Sequence, residues 1–140
     1  MDFTLNTPKN FPLGRAKEFY VDKVDNFYYS EEEWATTFSG FIAGEDPKRN
    51  VSGLFTNGVA SEIIIGPTIE DSFADIPFSY PIDQFISALE QREYRVTNSV
   101  NEYDELILIV SDSSKKVKII CTDGEISAIV WKSESNALNS

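Results

Sequence analysis

Asn57-Gly58 stands between two strand-like runs, "VSGLFT" (51–56) and "VASEIII" (59–65). A type I′ turn needs positive φ at both central residues, and Asn-Gly accepts that at little steric cost. The pair therefore predicts a β-hairpin, and Gly66-Pro67 ends its second strand. The last third of the chain repeats the pattern. "EYRVTNSV" (93–100), "ELILIVSD" (105–112), "KVKIICT" (116–122) and "EISAIVWK" (125–132) are strand-like, with turn residues between them that include Asp123-Gly124. Four such runs in succession predict an antiparallel meander. "LILIV" (106–110) lacks polar alternation and reads as a central strand covered on both faces.

Two segments carry helical signals. Ser30 and Glu33 have capping-box spacing, and Glu31, Glu32 and Glu33 fall where a helix dipole favours negative charge. Trp34, Phe38, Phe41 and Ile42 then repeat at i, i+4, i+7 and i+8, and Gly44 supplies a stop. The second helix is predicted over 80–94, with Pro81 at its first position and Ile82, Phe85, Ile86 and Leu89 on one face. Residues 18–29 fit a strand or a short helix. Residues 68–79 read as a loop with room for one helical turn. Residues 1–16 read as an irregular arm and 133–140 as a mobile tail. With 140 residues, no repeat and no linker, a single domain is expected. Its class is α+β: a mostly antiparallel sheet, hairpin plus C-terminal meander, with two main helices packed on it.

The chain is 41% hydrophobic and 13% aromatic, enough for a folded core. Its formal net charge is −11. Such a chain repels nucleic acid and anionic membranes, so an electrostatic partner should be basic. The opening "MDFTLNTPKNF" has no secretory pattern, and no apolar run is long enough to cross a bilayer. One cysteine permits no internal disulfide. A cytoplasmic protein is expected.

The sequence contains no histidine, the commonest general base and zinc ligand. Cys121 shares strand parity with Val117 and Ile119, so a buried thiol is favoured over a nucleophile. Glu45-Asp46, Glu70-Asp71 and Asp104-Glu105 offer carboxylate pairs, but each sits where solvated surface is the default. No calcium loop or glycine-rich phosphate loop is present. No cofactor and no metal are expected.

Charge placement says more. Between Arg49 and Arg92 there is no lysine or arginine, whereas Glu62, Glu70, Asp71, Asp75, Asp83 and Glu90 lie in that interval. Residues 18–46 hold eight acids against Lys23 alone. Such a surface speeds encounter with a basic protein, although acidic charge also serves solubility. In "IEDSFADIPFSY" (69–80), carboxylates mix with Phe73, Phe78 and Tyr80. Rings anchor protein contacts and charges orient them, and the same phenylalanines can equally plug a core. The candidate partner-binding residues are Glu70, Asp71, Asp75 and Asp83, followed by Phe73, Tyr80, Glu31 and Glu32. Glu33 is assigned to the helix cap.

The stretch "FYYSEEEWATTFSGFIAGEDPKRNVSGLFT" (27–56) resembles the small immunity proteins of bacterial contact-dependent growth inhibition and related polymorphic toxin systems. The matching positions are Trp34, Phe38, Phe41, Ile42, Gly44, Ser52, Leu54, Phe55 and Thr56. Phe38 stands where that pattern often has tryptophan. The resemblance implies a cytoplasmic, non-enzymatic protein that binds a cognate toxin domain, often a basic nuclease, and blocks its active site. Two other readings stay open: a small enzyme using a carboxylate pair, and a general protein–protein adaptor.

Overall fold

The computed structural model describes residues 1–133. In chain order its elements are β1 (Asp2–Phe3), α1 (Lys17–Tyr20) followed by a 3-10 turn (Val21–Lys23), β2 (Val24–Glu31), β3 (Thr36–Ile42), β4 (Asn50–Thr56), β5 (Val59–Ile65), β6 (Ser72–Phe73), β7 (Ile76–Pro77), α2 (Ile82–Gln91), β8 (Arg95–Val100), β9 (Leu106–Ser111), β10 (Lys116–Thr122) and β11 (Glu125–Lys132). Strand accounts for 47% of these residues and helix for 13%. The expected α+β layout with two main helices is therefore corrected: one helix has ten residues and the other four, and the molecule is built on antiparallel strands. No described helix is long and apolar enough to cross a membrane. The tail expected over 133–140 lies, after Ser133, outside the described residues.

The described chain divides into two compact units, each assembled from separate segments: residues 1–6 with 67–130, and residues 7–66 with 131–133.

In the first unit, β8, β9, β10 and residues 125–130 of β11 form the expected meander. β8 pairs with β9 from Arg95↔Ser111 to Val100↔Leu106 without interruption. β10 pairs with β9 and then with β11 through a tight turn at Asp123 (φ 53°) and Gly124 (φ 81°). Leu108, Val110, Val117 and Ile119 are fully withdrawn from water, alternating with less buried neighbours, as period-two strands require. α2 packs Phe85 and Leu89 inward, and both are 0% exposed. Pro81 lies just ahead of the helix at its cap and accepts the Phe85 N–H at 2.9 Å.

The predicted loop at 68–79 instead contains β6 and β7. It is held by the chain's start: Asp2 pairs with Ser72 and Phe3 with Phe73, in parallel. Phe3 stacks on Phe78 at 6.2 Å, and Phe78 meets Phe85 at 5.7 Å. The arm is thus tied down by a buried aromatic, a link no local pattern reveals.

In the second unit, β2, β3, β4 and β5 form a continuous antiparallel set. The Asn57-Gly58 turn is present, with both residues at positive φ (54° and 84°). The capped helix expected from Ser30 to Gly44 does not form. Thr36 and Thr37 are β-branched, and Gly40 costs a helix interior about 1 kcal/mol relative to Ala. The same apolar residues also satisfy a period of two, with Phe38 and Ile42 buried on one face. Pairing with β4 on one side and β2 on the other settles the choice. Residues 18–29 end one short helix and begin β2.

Close packing fixes two glycines of this unit. A Cβ at Gly53 would lie 2.3 Å from Phe38 Cε1, and one at Gly40 would lie 2.6 Å from the Asp25 carbonyl. Phe38 lies across Gly53, its register partner. Around Phe38 gather Tyr20 at 5.2 Å, Phe27 at 5.6 Å and Phe55 at 5.6 Å. Tyr20 is itself 0% exposed and donates its hydroxyl to the Pro12 carbonyl.

Candidate protein-binding surface

The turn between β2 and β3 is the most exposed aromatic feature of the described chain. β2 and β3 pair through Tyr29↔Phe38, Ser30↔Thr37 and Glu31↔Thr36. Beyond them, the Glu32 N–H reaches the Ala35 carbonyl at 2.9 Å, and the Ala35 N–H reaches the Glu32 carbonyl at 3.3 Å. Only Glu33 and Trp34 are left to cross the turn. Neither has positive φ, so the turn does not demand glycine. Trp34 is 81% exposed and Tyr28 is 65% exposed. Glu31, Glu32 and Glu33 are all at the surface.

Among the described residues, none of these three glutamates forms an ion pair with lysine or arginine. Glu31 has one polar partner: the Tyr29 hydroxyl donates to its Oε1 at 2.7 Å. That hydrogen bond is the main reason the Tyr29 phenol is pushed above its ordinary range, with Glu18 and Glu31 adding negative potential. The Lys17 ammonium lies 4.0 Å from the centre of the Tyr29 ring. A shallow groove of about 350 Å³ beside the turn is lined by residues that include Lys17, Glu18, Tyr29, Glu31 and Phe55.

The residues singled out from sequence fall into different places. Glu31 and Glu32 belong to the second unit and the other six to the first. Asp71 is 2% exposed. It accepts the Thr68 N–H at 2.7 Å and the Thr68 hydroxyl at 3.2 Å, and pairs with the Met1 ammonium at 2.9 Å. Phe73 is 0% exposed and meets Tyr94 edge-on at 6.3 Å. Both side chains serve the fold, because a group already buried and bonded cannot present itself to a partner.

Glu70, Asp75, Asp83 and Tyr80 are exposed. Asp75 and Tyr80 line a second groove of about 360 Å³ with Gln84 and Arg92. The Arg92 guanidinium donates to the Ala74 carbonyl there, which sets a cation among the acids. Asp2 holds this corner by accepting the Asp75 N–H at 2.8 Å and the Ser72 hydroxyl at 2.6 Å.

Sequence reasoning passed over Trp34, Tyr28 and Glu33. It assigned Trp34 to a helix face and Glu33 to a cap. The available signal was the Thr36-Thr37 pair with Gly40, which disfavours a helix and turns "SEEEWA" into a hairpin tip.

The remaining reactive groups are placed structurally. Burial pushes the Cys121 thiol up to about 11, so it stays protonated at neutral pH. Glu105 accepts from Asn101 Nδ2 at 2.9 Å and from the Thr122 hydroxyl at 2.9 Å, and these bonds lower its pKa. Among the described residues no group of three or more histidine, cysteine, aspartate or glutamate side chains is arranged to hold a metal ion. No protein-family model, curated protein or solved structure matches this chain.

Proposed function

We propose that this chain is a cytoplasmic, non-enzymatic immunity-type protein that binds a cognate basic toxin domain and neutralises it, and that the β2–β3 tip makes the contact. The observation that carries this reading is Trp34, 81% exposed in a two-residue turn next to three consecutive glutamates. A large ring left in water is an anchor in search of a pocket. Exposed carboxylates beside it, without an ion pair among the described residues, steer a cationic surface toward it. The net charge of −11 and the resemblance over residues 27–56 point the same way. In this mechanism the glutamates cover the cationic substrate surface of the toxin and Trp34 fills an adjacent recess. Neither nucleic acid nor membrane is a partner, and no cofactor takes part.

The test is co-expression with the toxin domain encoded beside this gene, followed by binding kinetics. The wild-type chain should form a complex whose association slows as salt rises. Replacing Glu31, Glu32 and Glu33 together with glutamine should slow association about tenfold at low salt, a difference that vanishes at high salt. Trp34→Ala should weaken affinity about 30-fold or more, mainly through faster dissociation. Unchanged binding by both variants, or the lack of any basic partner, overturns the proposal.

A further inference from the structure

Beside the β2–β3 tip, the groove of about 350 Å³ is lined by three charged groups, Lys17, Glu18 and Glu31. Lys17 and Glu18 come from the start of α1, and Glu31 from the end of β2. Among the described residues none of the three forms an ion pair. The Tyr29 ring is the wall between them. Phe55, itself buried, meets that ring edge-on at 6.0 Å, and Glu31 accepts the Tyr29 hydroxyl at 2.7 Å. Ring and carboxylate are therefore held together. α1 is anchored by Tyr20, which is fully buried and stacked on Phe38. The electron-rich face of Tyr29 already carries a cation, the Lys17 ammonium, 4.0 Å from the ring centre. Glu18 and Glu31 both add negative potential at the Tyr29 oxygen.

We infer that this groove binds an arginine side chain of another protein: the guanidinium takes the place of Lys17 on the Tyr29 ring and donates to Glu18 and Glu31. Charge and shape select that occupant. With Lys17 displaced, the groove is lined by two carboxylates and no cation. An anion would meet both glutamates, and an apolar group would strip them of water without giving them a partner. The Lys17 ammonium is a point charge on a flexible stem with no carboxylate holding it, so it swings out to water readily. A guanidinium is flat and weakly hydrated. It stacks on an aromatic face and still directs N–H groups, in its own plane, to carboxylates. Lys17 is thus a place-holder that covers the ring until an arginine displaces it.

The inference stands apart from the toxin-binding reading, because its test uses this chain alone. The probe is Nα-acetyl-L-arginine amide, titrated into the full chain and followed by NMR. Saturable shifts should centre on Glu18, Tyr29 and Glu31, with a Kd on the order of 1–10 mM. Lys17→Met vacates the ring and should tighten binding about threefold or more. Lys48→Met removes the same charge ahead of β4 and should change it by less than about 1.5-fold, because salt screens a distant charge. Glu18→Gln combined with Glu31→Gln, and Tyr29→Leu by itself, should each weaken it about fivefold or more. Trp34→Ala should leave it unchanged. Free L-arginine, whose carboxylate meets the glutamates, should bind more weakly than the blocked amide, as a side chain within a protein requires. Near-UV circular dichroism checks that each variant is folded. The absence of a saturable shift at Tyr29 overturns the inference, as does equal tightening by Lys17→Met and Lys48→Met. So does free arginine that binds as tightly as the amide.

Discussion

Alanine at Phe38 and alanine at Trp34 should have opposite consequences, although only one helical turn of sequence separates them. Phe38 is 0% exposed and surrounded by Tyr20, Phe27 and Phe55. Truncating a buried phenylalanine to alanine costs about 3–5 kcal/mol. The upper half of that range applies, because one wall of the vacated space is Gly53, which has no side chain to lean in. With a urea slope of about 2 kcal/mol per molar for a chain of this size, a loss of about 4 kcal/mol lowers the unfolding midpoint by about 2 M.

Trp34 is 81% exposed at a turn that needs no positive φ. Its replacement should stay within about 0.5 kcal/mol, or roughly 0.25 M. The assay is urea unfolding followed by far-UV circular dichroism on both variants. If Phe38→Ala removes all of a native stability of about 5 kcal/mol, Phe38→Leu reads the same site with a smaller loss. A capped helix from Ser30 would bury both rings on one face and make the two losses comparable. Equal midpoint shifts would therefore refute the hairpin.

Glu105 and Cys121 give two further tests. The hydrogen bonds from Asn101 and Thr122 hold the Glu105 carboxyl below its ordinary 4.5 in the folded state. Its contribution is thus complete above pH 4.5 and disappears as pH falls through the folded value. Glu105→Gln should flatten the fall of the urea midpoint between about pH 6 and pH 3; an unchanged acid limb would count against those bonds. Cys121, 3% exposed with its thiol raised to about 11, should resist thiol reagents near pH 8 until the strands open. Its labelling should slow by the same factor as global unfolding predicts, and labelling at the unfolded-chain rate would place the thiol at the surface.

Turns and strict alternation were readable from sequence. Asn57-Gly58 and Asp123-Gly124 lie where left-handed residues are needed, and the C-terminal meander and α2 follow their local periodicities. The failures share a cause. Residues 34–42 satisfy a period of 3.6 through Trp34, Phe38, Phe41 and Ile42, and a period of two through Phe38 and Ile42. Local pattern cannot choose between these; the ladders to β2 and β4 do. The short strands β6 and β7 depend on Asp2 and Phe3, 70 residues away in sequence, and pairing at that separation leaves no local trace. Of the site, the surface placement of Glu31 and Glu32 was legible because dipole-facing and turn-facing acids both end in water. Trp34 was not, because an aromatic among apolar neighbours reads as core until the turn is known.

The contrast between Trp34 and Trp131, 81% and 2% exposed, also gives the protein two optical labels without any added dye. Trp131 emits from a buried setting and changes when the fold opens. Trp34 emits from water and is open to a dissolved quencher such as iodide. A partner seated on the β2–β3 tip would shift and shield the second signal while leaving the first untouched, so binding and unfolding can be followed separately in one untagged sample.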